Sequence, residues 1–139
     1  MMVEWERMIG RLEGLERKWT GMMEGVQVEI AFYKEHTHPE YGASARGRAL
    51  ALTLYLDDVR TSLELIRKTP HLVPAALEML TLSRLAQVRY DTLERLATAP
   101  DMDKVSDHFL SAVLVKAEQL TKEIAHQSKD IRHDMGWDS

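Results

Sequence analysis

The chain contains no cysteine, which removes disulfide frameworks, thiolate metal sites and cysteine nucleophiles, and suits a reducing compartment. It has no uncharged apolar run near the length of about 18 residues needed to cross a bilayer. Its start, Met-Met-Val-Glu-Trp-Glu-Arg, carries charges where a secretory leader needs apolar residues. A cytoplasmic protein without a membrane partner is therefore expected. Excess positive charge is missing too: the formal charge is −4 and the pI about 5.9. Nucleic acid is accordingly not an expected partner, and Arg84, Arg89 and Arg95 are interleaved with Asp91 and Glu94. The sequence also lacks a Gly-x-Ser-x-Gly elbow, a phosphate loop, a dinucleotide glycine fingerprint and a His-Glu-x-x-His zinc helix. No run alternates β-branched residues between turn signals, so no sheet is expected.

What is present is helical periodicity. At 139 residues, 45% hydrophobic and 29% charged, the chain fits one domain with one core. Apolar residues recur in steps of three and four at Trp5, Met8, Leu12, Leu15, Trp19, Met22, Val26 and Tyr33, the signature of a helix with one buried face. A second helix is expected from about Ala43 to Thr69, with Ala45, Ala49, Leu52, Leu56, Val59, Leu63 and Ile66 inward. A third begins near Pro70 to Pro74 and turns Leu77, Leu80, Leu85, Val88 and Leu96 to the core. A fourth follows Pro100, capped by Asp101 or Asp103, with Val105, Phe109, Ala112, Leu120, Ile124 and Ile131 inward.

The four prolines thus mark turns near 36–42, 70–74 and 100–103. Helices of about 25 to 33 residues, or 40 to 50 Å, joined by short connections must alternate in direction. The expected fold is an all-α, antiparallel up-down-up-down four-helix bundle over 1–134, with a tail at 135–139 that carries Trp137. Glu13 with Arg17, Glu64 with Lys68, Asp91 with Arg95 and Glu118 with Lys122 are expected as ion pairs along exposed faces. Bulky Phe32, Tyr33 and Tyr41 precede a run of small residues, Ala43, Ser44, Ala45, Gly47, Ala49 and Ala51. Large residues can fill the space beside small ones, or leave a pocket or groove there.

The six histidines raise the question of metal. Glu-x-x-His occurs at Glu35 to His38 and at Glu123 to His126, and di-iron carboxylate bundles use two such motifs. In an antiparallel bundle these two lie about 30 Å apart along the axis, too far to share an ion. The same topology brings the first loop to the start of helix 4, so His36, His38, Asp103 and His108 form the candidate site for zinc or another divalent ion. Ser44, Arg46 and Arg48, at the expected start of helix 2, form a candidate anion site, with free amides and two guanidiniums.

Gly10, Gly14, Gly21 and Gly25 all fall within helix 1, inside a sector of about 60° opposite the Trp5, Leu12, Trp19 and Val26 seam. Each costs a helix about 0.8 to 1 kcal/mol against alanine. A close approach by a helix of a partner, or of a second copy, would explain them; neutral drift or a break near Gly21 would also do so. Trp19-Thr20-Gly21 resembles the Trp-x-Gly turn of secreted helical-hairpin proteins, which would put a turn there, but the apolar seam runs straight through it. The expected function is non-enzymatic protein contact, as an adaptor, chaperone-like or regulatory subunit forming a homodimer and needing no cofactor. Eight methionines suit an adaptable apolar surface. The alternative is a metal- or small-anion-binding bundle, either a binding protein or an enzyme, with its site at the loop 1/helix 4 end.

Overall fold

The computed structural model describes residues 2–68, 75–97 and 103–134. Four helices occupy them: α1 (Met2–His36), α2 (Pro39–Lys68), α3 (Ala75–Ala97) and α4 (Lys104–Asp134). No strand occurs among the described residues, so the all-α four-helix fold stands. The connections expected at 70–74 and 100–102, and the tail with Trp137, lie outside the described residues.

α1 runs unbroken through Gly21 for 35 residues, about 52 Å. Its glycines do not interrupt it because the opposite seam is well anchored: Met8, Leu12, Leu15, Trp19 and Val26 are all buried. The break from α1 to α2 is tighter than the sequence suggested. Thr37 takes a left-handed φ of 53°, and α2 starts at Pro39 rather than at Ala43. Proline lacks an amide hydrogen that the first helical turn would leave unused, so Pro39 opens α2 instead of merely closing α1. Gly42 N already bonds His38 O at 2.9 Å.

Helix directions follow from the bonds between helices. Trp5 Nε1 donates to Ile66 O, Arg60 pairs with Glu16 and Arg48 with Glu29, so α1 and α2 are antiparallel. Tyr55 reaches Ala86 O and Ser62 reaches Glu78, giving the same relation for α2 and α3. Arg11 bonds Gln127 and Trp19 bonds Glu123, so α4 is antiparallel to α1 as well. The helices alternate up and down.

The bundle is not square. α2 and α4, which run parallel, share the most extensive contact of any helix pair, with α1 resting chiefly on α2 and α3 chiefly on α4. A Cβ built on Gly47 would sit 2.3 Å from the Phe109 carbonyl oxygen and 3.1 Å from the Ala112 Cβ. Ala43, Gly47 and Ala51, four apart and all buried, therefore receive the backbone of α4. This corrects the expectation that Phe32 and Tyr41 fill that space, since they are 50% and 60% exposed, whereas Tyr33 is half-buried against the core. The backbones of α1 and α4 stay apart and are bridged by long side chains.

Polar bonds tie α2, α3 and α4 at their centre. The Tyr55 hydroxyl bonds Ala86 O at 3.1 Å and Thr121 Oγ1 at 2.8 Å. Burial is the main reason its pKa is raised. Arg89 grips both oxygens of Asp58 at 2.7 and 2.8 Å. No buried side-chain nitrogen or oxygen among the described residues lacks a partner.

One expected core face, that of α3, is rephased, and that of α4 holds at Leu120 and Ile124 but not at Val105. On α3 the buried residues are Met79, Leu82 and Ala86, whereas Leu85, Val88 and Leu96 are exposed. α3 is apolar over so wide an arc that periodicity alone does not choose its inner side. On α4 Val113, Ala117, Leu120 and Ile124 are buried, while Val105 lies beyond the α2 crossing and is exposed. Of the expected pairs along helices, Glu64 with Lys68 and Glu118 with Lys122 form, but Glu13 reaches across to Arg67 of α2 at 3.2 Å.

The Gly47 crossing makes a direct test. Gly47→Ala should destabilise the fold by about 1 to 3 kcal/mol or more, because the new methyl meets backbone that cannot yield cheaply. Urea denaturation of the variant beside the parent chain measures it; an unchanged midpoint would exclude the close crossing.

Candidate functional site

The end of the bundle where α1 turns into α2 collects most of the residues to which the sequence pointed. Phe32 meets Tyr33 edge-on with ring centres 5.3 Å apart, and His36 stacks on Phe32 at 4.1 Å. Tyr33 also lies 5.6 Å from Tyr41 and 6.2 Å from His38. Helical spacing of four sets Phe32 beneath His36, and the two-residue turn folds His38 and Tyr41 back over Tyr33.

The four candidate metal ligands are not brought to one point. His36 Nδ1 bonds the Phe32 carbonyl at 2.8 Å on the outside of α1. His38 packs against tyrosines. Asp103 caps α4, accepting from Ser106 N at 2.8 Å and Ser106 Oγ at 3.1 Å. His108 Nε2 lies 3.4 Å from Glu40. No group of three or more histidines and carboxylates among the described residues could hold a metal ion. At the far end, Glu123 accepts from Trp19 and pairs with Lys18, and His126 pairs with Asp130.

The candidate anion set divides in two. Because α2 begins at Pro39, Ser44 stands in its second turn, past the free amides, so no amide contributes there. Ser44 and Arg48 face α4 across a groove of about 290 Å³ that also includes His108, Ser111 and Lys116. Its cations are engaged: Arg48 with Glu29 at 2.7 Å and Lys116 with Gln119 at 2.8 Å. Burial, and then the neighbouring Arg48, lowers the Lys116 pKa. Arg46 points the other way, its Nη1 only 3.3 Å from where a Cβ on Gly42 would stand. It lines a pocket of about 540 Å³ under the turn, together with Tyr33, Lys34 and His38. Sequence reasoning set Tyr33 beside a pocket or groove but missed Lys34 as a pocket residue and Lys116 as a neighbour of Arg48. The signal for Lys34 was Pro39: read as a helix start, it places Arg46 one turn above Gly42 and beside the end of α1.

The glycine face is open. Among the described residues, a Cβ on Gly10, Gly14, Gly21 or Gly25 would meet nothing within 4 Å. On the same face, at the same helical spacing, Val28 is 70% and Phe32 50% exposed. No helix among the described residues is long and apolar enough to cross a membrane. Compared with known protein families, curated proteins and solved structures, the chain matches none.

Asp103 gives a pH test. Bonds from Ser106, first from its backbone amide, hold the carboxyl below the ordinary aspartate range. The cap is therefore complete above the ordinary value and lost as pH falls through the lowered one. Nuclear magnetic resonance shifts of Val105 to Asp107 should lose helical character over that acid window. Asp103→Asn, which keeps an accepting oxygen, should remove the pH dependence, and Asp103→Ala should fray the first turn at every pH.

Proposed function

We propose that the chain is a non-enzymatic helical bundle that works by protein contact, as an adaptor, chaperone-like or regulatory subunit. The outer face of α1 is its contact surface and a second copy of the chain the occupant. One observation carries the reading: four glycines lie in one helix face, and no described residue stands within 4 Å of where a Cβ on any of them would be. Together they forgo about 3 to 4 kcal/mol of helix stability, a sizeable part of what a small domain has. Packing among the described residues offers no return on that loss. A second helix seated against bare backbone does, as small residues let helix axes approach closely, and Val28 and Phe32 extend the same face with apolar surface. Absence of cysteine suits a cytoplasmic setting for such a protein.

Light scattering on a size-exclusion column at about 100 µM protein tests this directly. The parent chain should elute at twice its 16.0 kDa mass. Gly14→Leu with Gly21→Leu should return it to a monomer that remains helical. A parent chain that is monomeric at that concentration, or a dimer indifferent to both leucines, would refute the α1 contact between copies.

A further inference from the structure

The pocket under the α1–α2 turn has chemistry that neither the fold nor the α1 face uses. Its walls are largely carbon, supplied by Ile30, Tyr33 and Pro39, and its volume of about 540 Å³ falls in the range of small-ligand sites. Two cations, Lys34 and Arg46, line it, and no aspartate or glutamate does. Among the described residues neither cation makes an ion pair, although most basic side chains that pack between helices do: Arg48 with Glu29, Arg60 with Glu16, Arg67 with Glu13 and Arg89 with Asp58. Two carboxylates on the same two helices are turned to other partners, Glu29 to Arg48 and Glu40 to His108. In a chain of net charge −4, this is a local reversal of sign inside an apolar hollow.

We propose that this pocket binds a small organic carboxylate with a flat apolar body, an arene carboxylate being the simplest case. The ring rests among Ile30, Tyr33 and Pro39, and the carboxylate is held by the Arg46 guanidinium and the Lys34 ammonium. A guanidinium presents two parallel donors that match the two oxygens of a carboxylate. A strongly hydrated dianion such as phosphate would lose more water than these few donors replace against apolar walls. Gly42 keeps the space clear, since a larger residue there would press on Arg46 Nη1. The groove between α2 and α4 is the weaker candidate because Arg48 and Lys116 are already partnered.

The test is a titration of the full 15N-labelled chain, followed by amide shifts, with sodium benzoate, benzyl alcohol and inorganic phosphate as separate probes. Benzoate should produce saturable shifts around Tyr33, Gly42 and Arg46 with a Kd of about 1 mM or tighter. Benzyl alcohol and phosphate should each bind at least about ten-fold more weakly. Arg46→Met should weaken benzoate by about ten-fold or more, Lys34→Met should weaken it less, and Arg84→Met on α3 should leave it unchanged. Both pocket cations are exposed, so these variants fold, which unchanged shifts elsewhere verify. Benzoate that fails to saturate by about 10 mM, binding that survives Arg46→Met, or a preference for either control probe would overturn the proposal.

Discussion

The architecture depends on one close approach, the α2 backbone against the α4 backbone at Gly47 and Phe109. A regular four-helix bundle holds its helices apart with interdigitating side chains. Here a run of alanines and a glycine lets α2 collapse onto α4, with no room for even a methyl group at Gly47. With α2 and α4 in contact along that stretch, α1 and the second half of α3 become outriggers. Each buries one side on the central pair and leaves the other uncovered.

This collapse explains why the molecule's unusual surfaces lie where they do. α1 packs chiefly on α2 and reaches α4 through Arg11, Lys18 and Trp19, whose polar ends bridge the gap. Its glycine face therefore meets no other part of the chain among the described residues. α3 is held through Tyr55, Asp58 and Ser62 of α2, while Leu85, Val88 and Leu96 remain outside. At the end of α1 Phe32 stays outside, stacked on His36, and Tyr33 lies beside Tyr41 and lines the hollow that holds Lys34 and Arg46. An exposed apolar face and an apolar pocket with unspent charge are both consequences of the same packing choice.

The helices themselves were legible in the sequence. The seam from Met8 to Val26 and the face from Leu52 to Ile66 are buried as their spacing requires, because a strip of apolar residues at 3.6 per turn has one economical place to go. The outward position of Gly10, Gly14, Gly21 and Gly25 followed from the same angular argument. What spacing could not convey was distance between helices. Whether Ala43 to Ala51 would receive aromatic rings or a helix backbone depends on three-dimensional competition between Phe32, Tyr41 and α4. The phase of α3 was hidden by its excess of apolar residues. Pro39 fits a helix start as well as a stop, and that ambiguity concealed the pairing of Arg46 with Lys34 in one pocket.

Absence of native cysteine makes a single spin label straightforward to place, and Glu24, exposed beside the glycine face, is the natural position. Dipolar spectroscopy on Glu24→Cys carrying a nitroxide reads the distance between labels on two copies. If the outer faces of α1 pair, a single narrow distance should appear, compatible with helix axes about 8 to 10 Å apart. No intermolecular coupling at that position, or coupling only from a label at Val88 on α3, would contradict the claim that α1 is the face by which this chain meets another.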